Sequence, residues 1–124
     1  MTLTDEARRL TEVAALAAAE KLAEDIVAYD VSEQLAITDA FLICSAGNDR
    51  QVRAVVEEIE DRLREIGAHT IRREGYQEGR WVLLDFGEIV VHVQHAEDRQ
   101  FYALERLWRD CPNVVLPDAV HAPR

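Results

Sequence analysis

Few side chains of this 124-residue sequence have the type and spacing that catalysis requires. The tripeptide Asp85-Phe86-Gly87 has the letters of the metal-binding motif of protein kinases. No glycine-rich phosphate loop and no His-Arg-Asp catalytic loop accompanies it, and the chain is too short for a kinase fold. We therefore interpret the tripeptide as part of a β-hairpin.

A metal centre is equally hard to assemble from this sequence. Two-metal nucleotidyl transfer needs carboxylates that converge on cations about 4 Å apart, yet Asp85 stands alone, with Glu88 displaced onto the adjoining turn. His92 and His95 would point to opposite faces of a continuous strand. No zinc signature and no Ser or Cys nucleophile elbow is present. We expect no catalytic residue, metal or cofactor; the alternative is a small metal-dependent nucleotidyltransferase-like enzyme with an unusual metal site.

The charge balance narrows the class of partner. With 14 basic and 24 acidic residues, the chain has a formal net charge of −10. A protein that tracks phosphates needs the opposite sign, because each phosphate that it neutralises releases counterions and favours binding. We therefore expect little direct contact with nucleic acid. Either the partner is a basic protein or the acidic surface serves solubility alone.

Length and cysteine usage predict a single cytoplasmic domain. The expected domain covers residues 1–112, with an irregular C-terminal tail at residues 113–124. Cys44 and Cys111 lack a CxxC spacing, which is typical of reduced structural thiols. No signal-peptide pattern and no apolar run of about 20 residues is present, so we expect no membrane association.

The clearest predicted element is a β-hairpin over residues 80–94. Gly87-Glu88 suits a two-residue type II′ turn, which would place Leu84 opposite Val91. In that register one face is apolar and consists of Val82, Leu84, Phe86, Ile89, Val91 and Val93. The other face carries Trp81, Leu83, Asp85, Val90, His92 and Gln94, with Asp85 and His92 as diagonal neighbours.

The second face of the hairpin is too polar for a core and too apolar for an ordinary wet surface. It has the composition of an interface, an apolar patch with a charged edge. Alternatively, helices cover both sides of the sheet and these residues form a second core. In that case Asp85 needs a buried partner, such as His92 or an arginine.

Three helices and three further strands complete the predicted fold. We expect helices at residues 5–23, at residues 48–66 behind an Asn48 cap, and at residues 97–110, where Phe101, Leu104 and Trp108 would share a face. Strands are predicted at residues 25–31, 40–45 and 68–73. This order predicts an α/β fold with a mixed sheet of about five strands and three main helices. A βαβ crossover through residues 40–73 would make the second and third strands parallel neighbours.

Five segments together resemble the ribosomal silencing factor family (RsfS, also called Iojap-like). They are residues 38–43 (Thr-Asp-Ala-Phe-Leu-Ile), 49–52 (Asp-Arg-Gln-Val), 81–87 (Trp-Val-Leu-Leu-Asp-Phe-Gly), 91–93 (Val-His-Val) and 99–108 (Arg-Gln-Phe-Tyr-Ala-Leu-Glu-Arg-Leu-Trp). The likeness runs in order from about residue 7 to residue 112. Asn48 departs from the family pattern, where Ser or Thr is common, and Gln94 stands where a bulky apolar residue is common.

The resemblance implies a nucleotidyltransferase-like α/β fold without a working catalytic site. It implies a translation repressor that binds large-subunit ribosomal protein L-fourteen and the large ribosomal subunit, blocks joining of the small subunit when nutrients run short, and is a homodimer when free. A dimeric protein-interaction scaffold is a further alternative. The partner-binding residues that the motifs imply are Trp81, Leu83, Asp85, His92, Tyr102, Leu104, Glu105 and Trp108.

Overall fold

A computed structural model of the protein describes residues 3–121. Its helices are α1 (Asp5–Glu20), α2 (Asp49–Glu65) and α3 (Ala96–Tyr102). Its strands are β1 (Glu24–Asp30), β2 (Ala40–Ala46), β3 (Arg72–Glu74), β4 (Trp81–Asp85) and β5 (Ile89–His95). Three helices and a mixed five-stranded sheet confirm the predicted fold class. None of the helices within residues 3–121 is long and apolar enough to cross a membrane.

The sheet has the strand order β1-β2-β5-β4-β3, and β2 pairs with β5 in parallel. The predicted parallel pairing of the second and third strands is therefore wrong, because β3 lies at the far edge, antiparallel to β4. A central strand is buried on both faces and is therefore mostly apolar. Strand β5 meets that need with Ile89, Val91 and Val93, whereas every residue of β3 is exposed.

The hairpin of β4 and β5 has the predicted register. Leu84 lies opposite Val91, and Gly87 has a φ of +87°, which suits the first position of a type II′ turn. All six residues of its apolar face are buried. This face packs under α1 and α2, which form one helical layer on one side of the sheet.

Helix α2 begins and ends where the sequence predicts. The side chain of Asn48 accepts a 2.8 Å hydrogen bond from the Gln51 backbone N–H, and Gly67, with a φ of +92°, follows its last turn. The Gln51 amide nitrogen donates to the backbone carbonyls of Lys21 and Leu22. Helix α1 ends earlier than predicted, at Glu20, and Leu22 has the left-handed φ of +64°.

The third helix is shorter than the predicted 97–110. Ala103 has a left-handed φ of +48° and ends α3 after Tyr102; a 3₁₀ turn over Leu104–Leu107 follows. The change of direction separates the predicted apolar face. Leu104 and Trp108 pack on the sheet, whereas Phe101 is 79% exposed.

The chain after Pro112 lies along β1. Asn113 forms a bridge with Tyr29, and the Val114 N–H donates a 2.9 Å hydrogen bond to the Ala28 carbonyl. Val114 and Val120 are buried in the main core. This segment covers the edge of the sheet, which would otherwise present unpaired backbone groups. Residues 122–124 of the predicted tail lie outside the described residues.

Candidate protein-docking surface

The sheet face opposite α1 and α2 is half covered. Helix α3 lies against β2 and β5, and Leu104, Trp108 and Cys111 pack on the β1–β2 half of the sheet. Over β4 and β5, the outward-facing Trp81, Leu83, Asp85 and Val90 remain half-buried. On the second face of the hairpin, the buried His92 and Gln94 fit the second-core interpretation, whereas the four half-buried residues leave a partly open apolar surface.

A continuous row of aromatic rings crosses this face. Successive rings have their centroids 4.9, 5.1, 6.1, 5.2 and 4.9 Å apart. This aromatic row consists, in order, of Phe101, Tyr102, Trp81, His92, Phe41 and Trp108. It joins α3 to β4, β5 and β2 through a series of edge-on and tilted ring contacts.

His92 is the buried member of the aromatic row. It is only 6% exposed, and burial lowers its pKa to about 4, so it is neutral at pH 7. The Trp81 Nε1–H donates a 3.1 Å hydrogen bond to His92 Nδ1, which places the imidazole proton on Nε2. The predicted site residue His92 is thus a buried support for Trp81 and presents little surface to a partner.

Asp85 lies at the edge of the open half. Its Oδ1 accepts a 2.8 Å hydrogen bond from the Gly87 N–H, which restrains the hairpin turn. The Asp85 carboxylate therefore accepts its hydrogen bond from the turn. The buried partners suggested from the sequence were His92 or an arginine. Arg72 lies opposite Asp85 on β3 and pairs with Glu74 at 3.1 Å. Asp85 is accordingly a half-buried charge beside the apolar patch.

The structure divides the eight predicted site residues into two groups. Trp81, Leu83, Asp85 and Tyr102, the last 55% exposed, lie on the open surface. Of the others, His92 is buried, while Leu104 and Trp108 are half-buried against the second core and Glu105 is half-buried beside Arg99. Their contact with a partner stays a prediction.

Four further apolar residues with solvent-exposed area are missing from the predicted set. Phe41 and Val90 are half-buried, and Phe101 and Leu107 are 79% and 71% exposed. Alternation along the hairpin already placed Val90 on the second face. Phe41 needed the β2–β5 pairing, and the exposure of Phe101 and Leu107 depends on the left-handed turn at Ala103.

The face has no metal-binding arrangement. Within residues 3–121, no group of three or more His, Cys, Asp and Glu side chains is placed to hold a metal ion. The half-buried Trp81, Leu83 and Val90, with Asp85 at their edge, have the apolar composition of an association surface with an acidic rim.

Comparisons with known proteins agree on one family. The family model described as "Ribosomal silencing factor during starvation" matches residues 4–124. A "Ribosomal silencing factor RsfS" from Bacillus subtilis is 44% identical over 105 residues, covering 85% of this chain and 89% of that protein. A crystal structure from Bacillus halodurans is 40% identical with a TM-score of 0.77, covering 87% of this chain and 98% of the other. One from Chromobacterium violaceum is 28% identical with a TM-score of 0.80, covering 88% of each chain.

Proposed function

The chain belongs to the ribosomal silencing factor family, and from this premise we propose that it binds large-subunit ribosomal protein L-fourteen and blocks joining of the small and large subunits. Membership confirms the resemblance seen in the sequence and makes the protein a ribosomal silencing factor. The proposal adds the partner and the mode of action, namely repression of translation in the cytoplasm under nutrient limitation.

The observation that carries the proposal is the half-open face of β4 and β5. We define the docking surface as Phe41, Trp81, Leu83, Asp85, Val90 and Tyr102. Protein interfaces combine an apolar, aromatic centre with a polar rim. Trp81 has the properties of a central anchor, because it is large, half-exposed and held by hydrogen bonding from beneath.

The charge of the chain favours a basic protein as the partner. At a formal net charge of −10, the chain is repelled by exposed ribosomal RNA and attracted to a basic ribosomal protein. Such long-range attraction mainly raises the association rate and is screened by salt. Direct contact with nucleic acid is accordingly a small part of the proposal.

The same surface is proposed to hold two copies of the chain together when no ribosome is bound. An apolar binding surface is exposed to water when its partner is absent, and self-association would cover it. Homodimer and ribosome complex would then compete for Trp81 and Leu83. A concentration-dependent dimer that dissociates when large subunits are added would support this part of the proposal.

The experiment that tests the function is sedimentation with purified, separated ribosomal subunits. We expect the protein to comigrate with large subunits, not with small subunits, and to prevent their reassociation at saturating concentration. Comigration with small subunits alone, or free reassociation, would contradict the proposal. Metal-dependent consumption of nucleoside triphosphates that is lost in Asp85→Asn would instead favour the nucleotidyltransferase-like alternative.

A further inference from the structure

We propose that Arg99 is a positioning residue that fixes Tyr102 and the following 3₁₀ turn against the sheet and thereby shapes the docking surface. The inference rests on the proposed function for its consequence in binding. Its structural part, the placement of Tyr102 over Trp81, is independent of any partner. Arg99 itself is only 7% exposed and is not offered as a contact residue.

The side chain of Arg99 joins three parts of the chain. Its Nη1 donates to the backbone carbonyls of Glu24 and Asp25 and, at 3.5 Å, to Ser45 Oγ. Its Nε donates to Glu105 Oε2 at 3.3 Å. Among the described residues, Arg99 is the one buried side chain that carries a full charge at neutral pH. A buried charge is tolerated where hydrogen bonds and an opposite charge meet it, as they do here.

The carbonyls that Arg99 binds belong to an irregular part of β1. The pairing of β1 with β2 shifts between Glu24 and Val27, and Asp25 has a left-handed φ of +52°. A bulge of this kind takes backbone groups out of the sheet ladder and redirects them. The hydrogen bonds that the Glu24 and Asp25 carbonyls accept from Arg99 are partly buried, and the guanidinium supplies this donor from α3. The irregular part of β1 and the Arg99 side chain therefore form one contact, in which β1 supplies the acceptors and Arg99 supplies the donor.

The same residue holds both sides of the turn at Ala103. The backbone carbonyl of Arg99 accepts a 2.8 Å hydrogen bond from the Ala103 N–H, while its side chain binds Glu105 beyond the turn. Tyr102 lies between these two attachments, with its ring centroid 5.1 Å from that of Trp81. The position of Tyr102 over Trp81 thus follows from the contacts of Arg99.

Lysine is a poor substitute at this position. One ammonium group at the end of a flexible chain cannot reach Glu105 and the β1 carbonyls together, whereas the planar guanidinium presents donors in several directions. Methionine keeps the bulk of the stem and removes every donor. Arg99→Lys and Arg99→Met should therefore loosen the turn at Ala103 to a similar extent if the arrangement of the guanidinium donors, rather than the positive charge, holds it.

The first experiment measures local structure in the full-length protein. In Arg99→Met we expect amide exchange of residues 100–108 to rise by about tenfold or more while the buried amides of α2 and β5 change less. The nuclear Overhauser contacts between the Tyr102 and Trp81 rings should weaken. The matched control is Arg109→Met, an exposed arginine, which should change neither. Equal loosening of all amides, or unchanged ring contacts, would overturn the inference.

The second experiment measures binding to purified large subunits as a double-mutant cycle. We expect Arg99→Met and Arg99→Lys each to weaken binding by about tenfold or more. In a Tyr102→Ala background, Arg99→Met should weaken binding by less than about threefold, because Arg99 acts through Tyr102. Fully multiplicative losses would overturn the positioning role. If wild-type protein fails to bind large subunits, the proposed function fails, while the exchange and ring contacts still decide the role of Arg99.

Discussion

Trp81 and His92 are diagonal neighbours across β4 and β5, and the indole Nε1–H of Trp81 donates a 3.1 Å hydrogen bond to Nδ1 of His92. A half-exposed tryptophan is thus tied to a buried imidazole. The bond holds the indole ring in one orientation before any partner arrives. An anchor ordered in advance loses less side-chain freedom on binding, which favours affinity.

Truncation of Trp81 tests its role as an anchor. We expect Trp81→Ala to cost on the order of 2 kcal/mol or more of binding free energy to purified L-fourteen protein, the scale of a central hot spot. Trp81→Phe, which keeps an aromatic ring but leaves His92 Nδ1 without its donor, should retain part of the binding. Thermal unfolding, measured together with binding, separates a role of Trp81 in binding from a role in stability. Full binding by well-folded Trp81→Ala would place the interface elsewhere.

A charge reversal at the edge of the docking surface tests whether the partner is positively charged. Asp85→Lys should slow association and weaken binding, because it places like charge against a basic protein. Asp85→Asn keeps an oxygen for the Gly87 N–H and isolates the effect of charge. The matched control is Glu65→Lys, which changes the net charge equally but lies on α2, in the opposite layer. Equal losses in Asp85→Lys and Glu65→Lys, or an on-rate that does not change with salt, would contradict a steered contact.

His92 should make the protein less stable as the pH falls. Its pKa is about 4 in the folded protein against 6.5 unfolded, so between these values the unfolded chain binds the proton and the folded chain does not. The free energy of unfolding should therefore decrease as the pH falls from 6.5 towards 4, by up to about 3 kcal/mol from this residue. Denaturant unfolding across this range measures it.

The contribution of His92 is isolated by comparing two variants. His92→Asn has an oxygen near the position of Nδ1 for the Trp81 donor and does not titrate, so its stability should depend less on pH than that of the wild type. His69→Asn changes an exposed histidine and should keep the wild-type dependence. Parallel pH profiles for wild type and His92→Asn would show that burial does not lower the pKa of His92.

Replacement of Gln94 should stabilise the protein. Its side chain has no exposed surface, and neither of its amide atoms has a hydrogen-bond partner among the described residues. An unpaired buried amide costs about 1–3 kcal/mol, so Gln94→Leu should raise the free energy of unfolding by about 1–2 kcal/mol. The control Gln100→Leu, at an exposed position of α3, should stay within about 0.5 kcal/mol. Destabilisation by Gln94→Leu would mean that the amide is paired in solution.

The two cysteines should react slowly and in a fixed order. Burial raises the pKa of the Cys44 thiol to about 12, and burial together with Asp110 and Asp30 raises that of Cys111. Since the thiolate is the reactive form, alkylation of the native protein near pH 8 should be slow at Cys111 and slower still at Cys44. Both should react quickly in denaturant. Mass spectrometry over time gives the order, and faster labelling of Cys44 would contradict its burial.

The sequence by itself determined the local elements and the broad class. Alternation around Gly87 gave the register of the β4–β5 hairpin, and the Asn48 cap with its apolar stripe gave helix α2. These predictions succeeded because their causes lie within a few residues: the strand period of two, the turn glycine and the helix cap. The five family segments identified a ribosomal silencing factor, which the family model confirms, while the basic partner suggested by the acid excess stays a prediction.

Only the tertiary structure decided which strand takes the centre of the sheet and which half of the second face stays open. The parallel pairing of β2 with β5 joins residues 49 positions apart, such as Phe41 and Val90, and no local pattern specifies it. The left-handed Ala103 separates Phe101 from Leu104, and the side chain of Arg99 beside this turn binds carbonyls of β1 more than 70 positions earlier in the chain. Such contacts depend on the packing of distant segments, which lies beyond the range over which propensity and periodicity act.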